Sequence, residues 1–210
     1  MNQPLPYEIR PMRPTDVPAV EAIERLSFPS PWPASSFLYE LEHSSHACYR
    51  VLLKPKGHET ARSERVWRRW LRDLVDLPEG NRVIGYVGFR RRSTGLHIST
   101  IAVHPNWREK GLGELLLSTV MEKALELGSE IVSLEVRASN RVAQNLYRKY
   151  GFRFTSVHRG YYRDGEDAWL MEARVSPCDY GPRLDKLRQM LLARLHSPQA
   201  HVGQNVRDTL

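Results

Sequence analysis

Cysteine is scarce in this chain. Of 210 residues only Cys48 and Cys178 carry a thiol. Two isolated thiols build no disulfide framework and fit no metal-ligand spacing, which argues against a stapled secreted scaffold and against a metal site. Long apolar runs are missing too. None approaches the roughly twenty residues that span a bilayer, so no membrane contact is expected. Met1 to Pro14 has prolines and charges but no apolar stretch of signal-peptide kind, and a cytoplasmic location follows as the default expectation. Internal repeats are lacking as well.

What is present is uneven in placement. The formal charge is +7, yet residues 54–82 hold eight Lys/Arg against five Asp/Glu, and residues 174–210 hold six against three Asp. The remainder is near neutral. Such segments are ordinarily solvated faces. A sharper reading is contact with RNA or a ribosome through phosphate attraction, although no aromatic-basic motif adds to it. The length suits one domain with a sizeable core and appendages. We read residues 1–175 as that domain, with a basic insertion at about 54–82, and residues 176–210 as a helical and mobile tail.

Tyr7-Glu8-Ile9-Arg10 predicts a short first strand. Thr15 is placed to cap a helix whose dipole Asp16 favours, and Val20, Ile23 and Leu26 give that helix an apolar stripe. Phe28-Pro29-Ser30-Pro31-Trp32 breaks it. Pro33 opens a second helix with Phe37, Leu38 and Leu41 on one face. Ala47 to Leu53, Val83 to Phe89 and His97 to Val103 predict strands. Between the first two, residues 54–82 read as an elaborated hairpin connection with a helix over Val66 to Leu77. Leu115, Leu116, Val120 and Leu127 mark a helix closed by Gly128. Ile131 to Val136 alternates, with Ile131, Ser133 and Glu135 on one face. A short helix from about Asn140 to Tyr150 turns Val142, Ala143, Leu146 and Tyr150 toward a core. Phe152 to Val157 and Ala168 to Val175 predict a closing strand pair across a Gly160–Gly165 loop. Leu184 to Leu195 predicts an amphipathic piece in the tail.

The most informative stretch is Arg108-Glu109-Lys110-Gly111-Leu112-Gly113. A strand, then R-x-x-G-x-G, then a helix presents backbone N–H groups at a helix N-terminus, an anion site suited to a pyrophosphate. Gly111 and Gly113 let the backbone approach phosphates and take positive φ. Downstream, the carboxylate of Glu135 and the phenol of Tyr147 offer a base and an acid. His97 and His104 read as structural.

These elements in this order, with Arg108-x-x-Gly111-x-Gly113, resemble the GNAT N-acetyltransferase superfamily. Three further stretches narrow the resemblance: Phe28-Pro29-Ser30-Pro31-Trp32, Leu134-Glu135-Val136-Arg137-Ala138-Ser139-Asn140, and Tyr161-Tyr162 with Gly165-Glu166-Asp167-Ala168. With Leu146-Tyr147 and Gly151-Phe152, they are similar to the RimI-type ribosomal-protein-alanine N-acetyltransferases over roughly residues 7–53 and 83–174. The resemblance implies an α/β fold: a mixed, mostly antiparallel sheet with flanking helices, splayed between the strands ending at Val103 and Val136. It implies acetyl-CoA as co-substrate and no metal. The backbone of Ile101, Ala102 and Val103 would pair with the pantetheine arm. Arg108, Glu109, Lys110, Gly111, Leu112, Gly113 and Glu114 would wrap the pyrophosphate, and Asn140 would touch the cofactor. Glu135 would be the general base and Tyr147 the general acid. Phe28, Trp32, Tyr161 and Tyr162 would line the acceptor slot, Trp32 being either a slot wall or a core plug. The implied acceptor is the N-terminal alanine of small-subunit ribosomal protein eighteen. Other N-termini, lysine or a small amine remain alternatives, as does an RNA-holding module on a degenerate fold. The insertion at 54–82, and Gly160 where this family more often has Asn, depart from the pattern.

Overall fold

A computed structural model describes residues 7–54 and 82–196. The helix expected over Val66 to Leu77, nearly all of the basic insertion and the last part of the tail lie outside these residues. Among the described residues seven strands form one sheet: β1 (Glu8–Pro11), β2 (Ala47–Leu53), β3 (Val83–Arg92), β4 (Gly95–Val103), β5 (Ile131–Arg137), β6 (Arg153–His158) and β7 (Ala168–Arg174). Their spatial order is β1-β2-β3-β4-β5-β7-β6. Every neighbouring pair is antiparallel except β4 with β5. The β2–β3 connection leaves and re-enters the sheet at one rung, where the Lys54 N–H donates to the Arg82 carbonyl at 2.9 Å and Arg82 Nε donates back to the Lys54 carbonyl at 3.1 Å.

Helices cover both faces. On one side lie α1 (Val17–Ser27) and α2 (Ala34–His43); on the other lie α3 (Leu112–Glu126), α4 (Arg141–Lys149) and α5 (Pro177–His196). The pleat of β2 feeds both cores. Leu52 joins Leu116, Val120, Met121 and Leu191, while Tyr49, Val51 and Leu53 join Val20, Ile23 and Phe37. Leu116 is fully buried, so its truncation to alanine would cost ~2–5 kcal/mol.

Several local expectations change in the structure. Thr15 does not cap α1. Pro14–Asp16 forms a single 3-10 turn, and Asp16 accepts from the Arg13 N–H at 2.8 Å and pairs with Arg10 at 2.6 Å. Leu127 lies at the end of α3 and is partly exposed, because Gly128, at φ +63°, has already turned the chain. Val142 points to solvent at 83% exposure. Gln144 takes the buried place in α4, where its Nε2 donates to the Arg137 and Ala138 carbonyls at 3.0 Å each. A polar side chain holds that inward face because it satisfies the carbonyls at the end of β5.

The tail helix starts earlier than its apolar pattern suggests and runs through Pro182. Tyr180 anchors its first turns, buried and donating its hydroxyl to the Tyr150 carbonyl at 2.7 Å. Proline leaves the carbonyl of Cys178 without its helical donor, and that residue is exposed, so water can compensate. Three cations of this helix are engaged within the molecule: Arg183 with the Lys149 carbonyl, Arg188 with Glu122, and Arg194 with Glu114. They are correspondingly less free to meet RNA.

Candidate active site

The parallel ladder between β4 and β5 is short. It pairs Gly95 to Ile98 with Ile131 to Leu134 and stops there. On its other side β4 stays paired with β3 up to Val103, with a register shift that leaves Ser99 unmatched. A bulge bends the strand that carries it. Here it falls where β4 parts from β5, so the two strands splay beyond Ile98 and Leu134. The His104 N–H donates to the Ile84 carbonyl at 2.9 Å. Antiparallel alternation then turns the backbone of Ala102 toward Tyr86 on β3, and that of Ile101 and Val103 into the splay. Of the three residues expected to hold a pantetheine arm, Ala102 is therefore already committed to the sheet.

Beyond β4, a 3-10 turn at Pro105–Trp107 leads to the glycine loop. The His104 ring caps that turn, its Nδ1 accepting from the Asn106 N–H at 3.3 Å, as befits a structural residue. Gly111 takes φ +78° as the N-cap of α3, and Glu109 takes φ +63° without being a glycine. Gly113 has no positive φ; a Cβ there would meet only Leu146 Cδ2, at 4.0 Å. Among the described residues, none of the backbone N–H groups from Glu109 to Glu114 donates to another protein group. A run of free donors with a helix dipole behind it fits an anion such as a pyrophosphate.

Two side chains expected at this anion are used otherwise. Arg108 Nε donates to the Val103 carbonyl at 3.0 Å and Nη2 to Ser27 Oγ at 2.9 Å, so the guanidinium braces the loop against β4 and α1. Glu114 is buried, paired with Lys149 and Arg194 at 2.5 Å each and approached by the Tyr150 hydroxyl at 3.2 Å. Burial alone would raise its carboxyl pKa, but those cations hold it below the ordinary value. An ionised carboxylate repels an anion, so Glu114 can offer only its N–H. Asn140 caps α4, its Oδ1 accepting from the Ala143 N–H at 3.0 Å, which leaves its amide nitrogen for a ligand.

Glu135 stands where the splay opens. His97, directly opposite Ser133 on the paired part of β4, brings Nε2 to 3.2 Å from Glu135 Oε2 and Nδ1 to 3.1 Å from Ser133 Oγ. An ionised carboxylate only accepts, so Nε2 carries the proton between the pair. Burial works to raise the Glu135 pKa. The hydrogen bond and charge of His97, with Arg92 and His158 beyond, outweigh it and hold the carboxyl below the usual glutamate value. The sequence expectation of a structural role for His97 does not include this contact with Glu135. No local signal marks that contact, which follows from the register of β4 on β5.

Tyr147 lies in the core at 6% exposure, its ring tilted against Phe152 at 5.7 Å between centroids. Its hydroxyl has no hydrogen-bond partner among the described residues. Burial, and then Tyr162, push its pKa above that of a free phenol, so it stays protonated at neutral pH. Tyr162 packs edge-on to Tyr161 at 5.2 Å, with the Arg137 guanidinium 4.0 Å from its ring centre. Burial pushes the Tyr162 pKa up to about 12, against the charge of Arg137. Arg137 also pairs with Asp164 at 2.8 Å and Glu166 at 2.6 Å, and Glu166 accepts from the Ser139 N–H at 2.9 Å. The loop bearing both tyrosines is thereby fastened to the end of β5. Tyr161 is exposed, and burial followed by the nearby Glu135 raises its pKa. Across the molecule Phe28 and Trp32 are half-buried. Trp32 packs on Phe37 at 5.8 Å and borders a groove of about 340 Å³ with Ser35, Ser36, Tyr39 and Glu40, none of them an expected acceptor residue.

Residues 17–152 match the model of the Acetyltransferase (GNAT) family. A Bacillus subtilis protein, provisionally named a [ribosomal protein bS18]-alanine N-acetyltransferase, is 35% identical over 169 residues, covering 80% of this chain and 95% of that one. An N-alpha-acetyltransferase of Sulfurisphaera tokodaii is 36% identical over 170 residues, covering 80% and 92%. The crystal structure of the ribosomal-protein-S18-alanine N-acetyltransferase from Escherichia coli superposes with a TM-score of 0.63 at 25% identity, covering 81% of this chain and 94% of that one. The matched span contains the splay, the glycine loop, Glu135 and Tyr147, and on those grounds the chain belongs to the GNAT acetyltransferase family.

Proposed function

We propose that this acetyltransferase carries the acetyl group of acetyl-CoA to a protein N-terminal α-amine, with the N-terminal alanine of small-subunit ribosomal protein eighteen as its acceptor. The observation that carries the chemistry is the Glu135–His97 pair at the mouth of the splay. The acceptor rests on the resemblance of the 28–32 and 161–168 stretches and on the names of the Bacillus and Escherichia relatives.

The free N–H groups of Glu109 to Glu114 fit the pyrophosphate, and the open edge of Ile101 and Val103 fits the amides of the pantetheine arm. When bound, acetyl-CoA supplies the thioester. Glu135, held ionised, takes the proton that the amine sheds on attack, directly or through a water ordered by His97. The amine must be unprotonated to attack. An α-amine with a pKa of about 7.7–8.0 is ~10–20% free at pH 7, whereas a lysine near 10.4 is free in less than about one part in a thousand. That difference favours an N-terminus, since Glu135, held below the ordinary glutamate value, is a weak base. The Val103 N–H, turned into the splay, can donate to the thioester oxygen as it gains charge. The leaving thiolate resembles a cysteine thiol of pKa about 8.5, and a phenol near 10 or above is a weaker acid. Tyr147 therefore acts by hydrogen bonding to the thiolate rather than by handing over its proton outright. Transfer is direct, with no acyl-enzyme.

A panel of peptides differing only in the first residue, read by mass spectrometry, tests the acceptor. We expect acetylation of the α-amine of a peptide beginning with Ala, faster than one beginning with Phe, and no modification of internal lysines. Modification mainly on lysine, or equal rates for Ala and Phe, overturns the acceptor assignment and leaves the family standing.

A further inference from the structure

Glu24 lies in α1, on a core-facing position, and is 2% exposed. None of the steps above uses it. An ionised carboxylate is costly to bury unless donors match it. Three do. Its Oε2 accepts from the Trp32 N–H at 2.9 Å, and its Oε1 accepts from the Thr100 hydroxyl at 3.2 Å and from the Tyr86 hydroxyl in a short contact. Burial still leaves its pKa above the ordinary glutamate value. An apolar side chain of similar volume would serve packing at least as well, so the carboxylate points to a different task.

The loop it touches explains the task. In Phe28-Pro29-Ser30-Pro31-Trp32-Pro33 the prolines have no N–H to give. Phe28 and Trp32 both give theirs to Glu24: Phe28 to its backbone carbonyl at 2.9 Å, Trp32 to its carboxylate. The other end of the carboxylate is fixed to Thr100, next to the β4 bulge where the splay opens, and to Tyr86 on β3. A single side chain therefore spans from the Phe28–Trp32 loop to the strand whose edge faces the splay.

We propose that Glu24 is a positioning residue for the acceptor: it sets the gap between the Trp32 wall and the open edge of β4, and so the room for the acceptor's first side chain. This rests on the acceptor slot proposed above. Glu24→Gln keeps the shape but sets an amide N–H₂ against one of the donors. Thr100→Val removes one hydroxyl without changing volume. Each would be compared with wild type for acetyl-CoA affinity by calorimetry, for the KM of Ala-start and Phe-start peptides, and for hydrogen exchange at the Trp32 amide. For Glu24→Gln we expect faster Trp32 exchange, an Ala-peptide KM raised roughly tenfold, as loss of a buried charged hydrogen bond implies, and a narrowed preference for Ala over Phe. Cofactor affinity should stay within about twofold, because the free N–H run is held by Arg108 rather than by Glu24. Thr100→Val should shift the same quantities less, and carries the test alone if Glu24→Gln does not fold. Unchanged peptide KM and preference in a folded variant overturn the proposal. So does parallel loss of cofactor and peptide affinity, which marks general loosening. A wild type that acetylates no α-amine sinks the acceptor reading and this proposal together; a normal wild type beside an unaltered Glu24→Gln sinks this proposal alone.

Discussion

Between Glu109 and Glu114 the molecule presents backbone, whereas the proposed acceptor slot, which the 28–32 and 160–165 loops would line, presents side chains. The first region is a strand end, a left-handed glycine and a helix start; its free N–H groups follow from the path of the chain. The second region is two loops, one held by Glu24 and the other by Arg137 through two carboxylates and a ring face. A backbone site tolerates changes of side chain as long as the path survives. A side-chain site changes its shape with each substitution. One fold can therefore keep its donor chemistry while its acceptor varies.

The comparison breaks most visibly at Gly113. Gly113→Asp has room for its Cβ and places a carboxylate in the first turn of α3, where the helix dipole favours it. Melting temperature should hold or rise slightly, while acetyl-CoA affinity falls by roughly a hundredfold or more through like-charge repulsion. Calorimetry showing near-normal binding would mean that the free N–H run is an ordinary turn.

Next in size is Glu135→Gln, which removes basicity and keeps the hydrogen bond that His97 donates. We expect turnover to drop roughly 10²-fold with acetyl-CoA binding retained. Turnover unchanged across pH would remove Glu135 from the chemistry. Tyr147→Phe should lower turnover by roughly tenfold, one hydrogen bond's worth at a charged leaving group, while the ring still packs on Phe152. A fall in melting temperature without a fall in activity per folded molecule would make Tyr147 a core residue only.

On the acceptor side Arg137→Ala frees the tyrosine loop from Asp164, Glu166 and the Tyr162 ring. The peptide KM should rise several-fold at most, because these ties are exposed and screened by solvent. Cofactor affinity should stay near wild type, and an equal change in both constants would erase the distinction between the two regions.

The smallest effect is in pH. Glu135 has its folded pKa below its ordinary 4.5, so it stays ionised over the working range. The stability it contributes is present above that ordinary value and lost as pH falls through the lowered one. The acid limb of kcat/KM should therefore follow the acceptor amine, near about 7.7–8.0, and not the carboxylate. A limb near pH 5 in a folded enzyme would put Glu135 back in control.

Sequence by itself determined the order of strands and helices and the left-handed turn that opens α3, because each is written locally. Alternation marks strand faces, Gly111 marks a left-handed turn, and Gly128 stops a helix. It also placed the splay, through the family likeness of the residues around Arg108 and Glu135. Tertiary structure alone decided which partners those residues take. His97 meets Glu135 only because β4 and β5 pair in one register, and Arg108 turns from the expected phosphate to Val103 and Ser27 only because α1 lies beside the loop. Glu114 is claimed by Lys149 and Arg194, which are 35 and 80 residues away. The inward turn of Gln144 and the reach of Glu24 to Thr100 are of the same kind. A buried polar group must find its partner in space, and periodicity along the chain carries no record of which distant group that is.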